Sequence, residues 1–118
     1  MKSAAELFAE SKGRISEVSA AAAIAQRAAD ASVVLIDVRE DREWNLGHAA
    51  GAVHMSRGTL ESKIDSAVPR DATVILYCAS GNRSALAAES LTAMGYLNVS
   101  SMAGGFRGWV DANGDVEG

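Results

Sequence analysis

Cysteine and proline are each present only once in this chain of 118 residues. One thiol cannot close an internal disulfide, and it fails every zinc pattern built on cysteine pairs. His48 and His54 do not rescue a metal site, because no acidic residue or second thiol stands at helical or hairpin spacing with both. Aromatic residues make up only 5% of the chain, and Lys plus Arg (11) are outnumbered by Asp plus Glu (15), for a net charge of -4. A mildly acidic chain with no basic stripe excludes nucleic acid as the expected partner. Any preference for anions has to be local, set by a few groups around one site. No apolar run approaches the ~18 residues of a membrane span. Met1 to Lys12 also lacks the apolar centre of a signal peptide. These absences point to a cytoplasmic, reducing location with no membrane partner, where a lone thiol stays usable.

What remains is an ordinary globular composition, 48% hydrophobic and 22% charged, and it suits one domain over residues 1–118. Ser3-Ala4-Ala5-Glu6 reads as a capping box that opens an extra N-terminal helix within residues 1–12, with Gly13 as its stop. Ile15 to Val18 suits a short strand, and Ser19 caps the Ala-rich helix Ala20 to Ala29. Ser32 to Asp37 is a short apolar run rich in β-branched residues, as expected of a strand buried on both faces. Arg39 to Leu46 is helical in composition, with Trp44 as its apolar anchor and Gly47 at its end. Gly51 to His54 is a short strand, and Thr59 to Ile64 makes one or two helical turns. A second buried strand runs from Thr73 to Tyr77. The helix Ser84 to Met94 places Ala87, Leu91 and Met94 on one face before Gly95. Leu97 to Val99 forms a last strand, and Gly104-Gly105 turns into a helix carrying Phe106 and Trp109. The tail, residues 113–118, reads as frayed. Alternating strands and helices predict an α/β domain with a mostly parallel sheet of about five strands and helices on both faces. Ligands of such sheets sit beyond the C-terminal strand ends.

Cys78 stands at such an end. A lone cysteine is most often a small buried hydrophobe. Here it follows a buried strand and precedes Ala79-Ser80-Gly81-Asn82-Arg83-Ser84 and a helix. That order surrounds a sulfur with backbone N–H groups at a helix start, an arrangement that favours a thiolate and binds anions. Ser80 is no hydrolase nucleophile, since it lacks the Gly-x-Ser-x-Gly elbow.

Four segments together resemble the rhodanese family of sulfurtransferases. They are Leu35-Ile36-Asp37-Val38-Arg39-Glu40, then Glu43-Trp44 with Gly47-His48-Ala49-Ala50-Gly51-Ala52. Tyr77-Cys78-Ala79-Ser80-Gly81-Asn82-Arg83-Ser84 and Gly104-Gly105-Phe106-Arg107-Gly108-Trp109 follow. The resemblance spans about residues 15 to 112. Ala49-Ala50 departs from the Ile-Pro usual in the family, a change in scaffold rather than in chemistry. The resemblance implies a rhodanese-like three-layer sandwich. It also implies that Cys78 is the catalytic residue, carrying sulfane sulfur as a persulfide without cofactor or metal.

In the same reading, the backbone of Ala79, Ser80, Gly81, Asn82, Arg83 and Ser84 forms the substrate-binding cradle. Arg83 supplies a cation for an anionic donor such as thiosulfate, and Arg57 is a further candidate cation. Asp37 and Arg39 are expected to pair and brace neighbouring loops, while His48 and His54 are structural. The implied acceptor is cyanide in an assay or a cellular thiol, and a protein is an alternative donor or acceptor. A persulfide carrier fed by a protein partner is the rival reading. Phosphatase or arsenate reductase chemistry is a third. Cys78 to Arg83 counts six residues, one fewer than the loops of those enzymes, and a shorter ring suits a sulfur better than a tetrahedral phosphate.

Overall fold

The computed structural model describes residues 1–118. The buried apolar runs form the middle of a five-stranded sheet. Its strands are β1 (Ser16–Val18), β2 (Val34–Asp37), β4 (Val53–His54), β5 (Thr73–Tyr77) and β6 (Asn98–Met102). Their spatial order is β1-β6-β5-β2-β4, and every pairing is parallel. Parallel neighbours require crossovers, which the chain supplies as helices on both faces.

Alternation along β2 and β5 divides the core in two. Ile36, Val74 and Leu76 face one layer, where they meet Leu60 and Ile64 of α4 (Leu60–Ala67) and Ala87, Ala88 and Leu91 of α5 (Asn82–Ala93). Leu35, Ile75 and Tyr77 face the other. There they meet Ala20 and Ala23 of α2 (Ala20–Ala29) and Trp109 of α6 (Gly105–Asp111). The small alanines of α2 and α5 let the helices approach the sheet closely, while leucine, isoleucine and tryptophan fill the remaining volume. The first helix, α1 (Ala4–Arg14), packs along α5, and α3 (Asp41–Asn45) follows the end of β2.

Several boundaries differ from the sequence expectation. Helix α1 continues through Gly13, which has ordinary helical backbone, to Arg14. The Ser3 capping box is present, with Glu6 N–H donating to Ser3 Oγ at 3.1 Å and Ser3 N–H to Glu6 Oε1 at 3.2 Å. Helix α4 is longer than one or two turns, because Leu60 and Ile64 both find the core. The expected frayed tail is corrected. Val116–Glu117 forms β7, antiparallel to β3 (His48–Ala49), in a separate two-stranded ribbon. The carbonyl of Asp115 accepts from Ala50 N–H at 2.9 Å and from Trp109 Nε1 at 2.8 Å. Glu117 Oε1 accepts from Gly51 N–H at 3.1 Å. Apart from Trp109, these partners lie far away in sequence, so local composition gave little sign of them.

Candidate active site

The site begins at the C-terminal end of β5, the central strand of the sheet. Cys78 follows Tyr77 directly and is 1% exposed. The chain then turns through Gly81, whose φ of 101° lies in the left-handed region that glycine adopts without strain. This turn sends the backbone over the sulfur and straight into α5 at Asn82. The helix therefore starts two residues earlier than Ser84, and Arg83 belongs to its first turn rather than to a free loop.

Gly81 N–H donates to Cys78 Sγ at 3.1 Å and Ser84 N–H at 3.4 Å. The Ser84 hydroxyl lies 3.5 Å from the sulfur and 2.8 Å from the hydroxyl of Ser101 on β6. Ser84 and Ser101 are both fully buried. Burial is the largest influence on the thiol and pushes its pKa up. The hydroxyl of Ser84 and the amides of Ser84, Ser80 and Gly81 together outweigh it, so the pKa falls below the ordinary 9.0. A lowered pKa populates thiolate before the pH reaches that ordinary value. The midpoint for iodoacetamide alkylation of Cys78 is accordingly expected below 9.0. Ser84→Ala is expected to move it upward by about one pH unit, the scale of one hydrogen bond to a charged group. An unmoved midpoint in that variant would remove the hydroxyl from the account.

A second layer holds this turn in place. Gly105 opens α6 with φ of 56°, and a Cβ there would collide with Cys78 O and lie 2.5 Å from the carbonyl carbon of Ala79. Phe106 N–H donates to Cys78 O at 2.8 Å. Asp37 and Arg39, both buried, form a close ion pair in which Arg39 Nη2 lies 2.8 Å from Asp37 Oδ2 and Arg39 Nε 3.0 Å from the same oxygen. Arg39 Nη2 also donates to Gly47 O at 2.7 Å, and its guanidinium lies 4.4 Å from the Phe106 ring centroid. This pair links the end of β2, the turn before β3 and the start of α6, without a hydrogen bond to Cys78.

Of the cations considered from sequence, neither stands free. Arg83 makes a two-pronged pair with Glu43 at 2.8 and 3.2 Å, and Arg57 lies 2.8 Å from Glu61. The hydrogen bonds from Arg83 hold the Glu43 carboxyl down at about 2. The Arg83 side chain remains 34% exposed. His48 and His54 both stack on Trp44, with ring centroids 3.4 and 4.9 Å away. Sequence reasoning missed two members of this arrangement, Glu43 as the partner of Arg83 and Ser101 as the partner of Ser84. Ser101 lies beyond the strand expected at Leu97 to Val99, and its burial in β6 leaves no sign in the sequence. The Glu43–Arg83 pair bridges forty positions and left none.

Comparison with known proteins agrees with this architecture. The Rhodanese-like domain family matches residues 20–112. The thiosulfate sulfurtransferase GlpE of Tolumonas auensis is 38% identical over 66% of this chain and 73% of its own length. The putative sulfur carrier protein YrkF of Bacillus subtilis is 30% identical over 92% of this chain and 58% of its own. Among solved structures, a Rhodopseudomonas palustris protein named as of unknown function and a possible tyrosine phosphatase superposes with a TM-score of 0.88. Identity to it is 36%, with 99% of this chain and 96% of that one covered. The rhodanese-like domain of the Anabaena sp. Alr3790 protein superposes with a TM-score of 0.78 at 25% identity, covering 88% and 78% of the two chains. A parallel five-stranded sheet between two helical layers, a cysteine cradled at the end of its central strand, and a family match over most of the sequence lead to one assignment: the chain belongs to the rhodanese family.

Proposed function

We propose that the protein is a sulfurtransferase that moves a sulfane sulfur from thiosulfate or a similar anionic donor to a thiophilic acceptor through a persulfide on Cys78. The observation that carries this reading is the cradle itself. Two amides and a hydroxyl converge on one buried sulfur whose pKa is lowered despite burial. In the first half-reaction the Cys78 thiolate attacks the outer sulfur of thiosulfate. A bond forms between Sγ and that sulfur, the S–S bond of the donor breaks, and sulfite leaves with the electron pair. In the second, cyanide or a thiolate attacks the outer sulfur of the persulfide, and the pair of the breaking S–S bond returns to Sγ. The amides and hydroxyl favour the anionic sulfur at both ends of the cycle. The names of the GlpE and YrkF relatives agree with sulfur transfer or sulfur carriage.

Intact mass of the reduced protein, before and after thiosulfate and then after cyanide, tests the scheme. A gain of one sulfur atom that cyanide removes is the expected result. A free thiol that gains no mass would move the assignment to a carrier loaded by a protein partner, the reading favoured by the similarity to YrkF. The phosphatase reading attached to the Rhodopseudomonas relative is weaker, because the loop from Cys78 to Arg83 is short.

Arg83 has its own test. Arg83→Ala is expected to raise the KM for thiosulfate about tenfold, the worth of one charge-assisted contact, while persulfide already on Cys78 is retained. Equal loss of donor use and of persulfide retention would make Arg83 a builder of the loop instead.

A further inference from the structure

Ser101 places a hydroxyl inside the sheet, where no solvent reaches it. It stands opposite Glu17 of β1 and Leu76 of β5, and it is 0% exposed, as is Ser84. Its hydroxyl makes one hydrogen bond, to the Ser84 hydroxyl at 2.8 Å. The Ser84 hydroxyl in turn has two neighbours, Ser101 Oγ and Cys78 Sγ, the sulfur at 3.5 Å. Three groups therefore stand in a row, with two hydroxyl protons between them.

Counting those protons fixes a direction. An ionised sulfur can only accept. When Cys78 is a thiolate, the Ser84 proton points at Sγ, and the Ser84 oxygen is free to accept from Ser101. In the opposite order Ser84 donates to Ser101, and the Ser101 proton is left buried without an acceptor, which folding disfavours. Hydrogen bonds in a row also polarise one another.

We propose that Ser101 is a positioning residue for the sulfur chemistry: its hydroxyl donates to Ser84 and so holds the Ser84 proton on the Cys78 sulfur. The proposal deepens the sulfurtransferase reading and rests on it for the persulfide steps. In loading, the row favours the thiolate that attacks the donor. In discharge, the Sγ–S bond breaks, its electron pair returns to Sγ, and the Ser84 proton already faces the charge that forms. Each hydroxyl keeps its own proton throughout. Among charged groups, Arg83 of α5 lies in the field of Cys78, and Glu43 of α3 is bound to it. β6 carries no charged side chain, Tyr77 of β5 faces the opposite layer, and Arg107 of α6 is exposed. The Asp37–Arg39 pair at the end of β2 makes no hydrogen bond to Cys78. None of these charges changes when Ser101 is replaced.

The first test needs no sulfur transfer. Ser101→Ala is expected to raise the iodoacetamide midpoint of Cys78 by about half a pH unit, because the bond from Ser84 is weakened rather than removed. In the Ser84→Ala background the same change should add nothing, since Ser84 carries the effect. Ser101→Thr and Ser101→Val have the same shape and differ in the hydroxyl. The valine variant should lie about half a unit above the threonine one, even if the added methyl disturbs both. At high pH, alkylation of Ser101→Ala should reach a plateau no lower than that of the wild type, because a thiolate of higher pKa is the better nucleophile. A merely structural role would lower the plateau and leave the midpoint in place. Equal midpoints in wild type and Ser101→Ala, or the same shift with Ser84 already removed, would overturn the proposal. If the Ser101 variants do not fold, the wild type decides by NMR. The Ser101 hydroxyl proton is expected to move downfield together with that of Ser84 as Cys78 ionises, and a Ser101 proton indifferent to that titration would also overturn it. Persulfide loading is read separately: wild-type protein that gains no sulfur fails the sulfurtransferase reading, while the midpoints still decide the role of Ser101.

Discussion

Cys78→Ser is expected to reduce sulfur transfer to background and to abolish the thiosulfate-dependent gain of mass. The substitution replaces one atom by a smaller one in a site where Gly81 and Ser84 still donate hydrogen bonds, so the fold should survive it. What is lost is chemical. A serine hydroxyl does not ionise near neutral pH in this cradle, and oxygen cannot carry a transferable sulfane sulfur as a persulfide does. Unchanged circular dichroism with no transfer is the result that supports the scheme. Persistent turnover in Cys78→Ser would end it, because no other cysteine exists to take over.

Gly105→Ala is expected to have the second largest effect, and for a steric reason. Its left-handed φ of 56° already disfavours a side chain, and the added methyl would press on the backbone of Cys78 and Ala79. Backbone cannot swing aside as the tip of a flexible side chain can. The turn that aims Gly81 and Ser84 at the sulfur would have to move, or α6 would have to lift away. A cost of about 3 kcal/mol follows from overpacking together with the disfavoured φ. For a domain of this size that lowers the melting temperature by about 10 °C. Transfer activity should fall more steeply than stability, since the amide cradle needs sub-ångström placement while the core does not. Gly108→Ala is the matched control. Its Cβ would meet nothing closer than 3.5 Å and its φ is not positive, so stability and activity should stay near wild type. A Gly105→Ala protein with wild-type melting and turnover would show that the contact with Cys78 does not matter.

The sheet was legible in the sequence because its centre is buried on both faces. Strand β5 occupies Thr73–Tyr77, as the apolar run predicts, and β2 ends at Asp37. Periodicity exposed the inner face of α5 through Ala87 and Leu91. Its start was misplaced because Gly81 begins the helix by its own conformation and offers no capping side chain to read. The ribbon of β3 and β7 was missed because two-residue strands carry no periodicity. That tail is held by the nearby Trp109 and by Ala50 and Gly51, which are distant in sequence. In the site, Gly81 and Ser84, two of the six residues expected to surround Cys78, donate their amides to its sulfur. The Arg83–Glu43 and Ser84–Ser101 pairs depend on how separate elements meet, which one sequence does not display.

The separation of Gly105 and Ser101 from Cys78 along the chain has a consequence for biosynthesis. Synthesis runs from the N-terminus, so Cys78 is made well before Ser101 and Gly105. Parallel pairing between β5 and β6 cannot begin until both strands and α5 between them exist. A nascent chain that has reached Cys78 alone therefore lacks the Ser84 hydroxyl and the Ser80, Gly81 and Ser84 amides that lower the thiol pKa in the folded domain. The hydroxyl of Ser101 and the buttress at Gly105 arrive only when the last third of the molecule closes over it. The cradle that lowers the thiol pKa is thus a property of the finished domain, assembled only once its C-terminal strand and helix are in place.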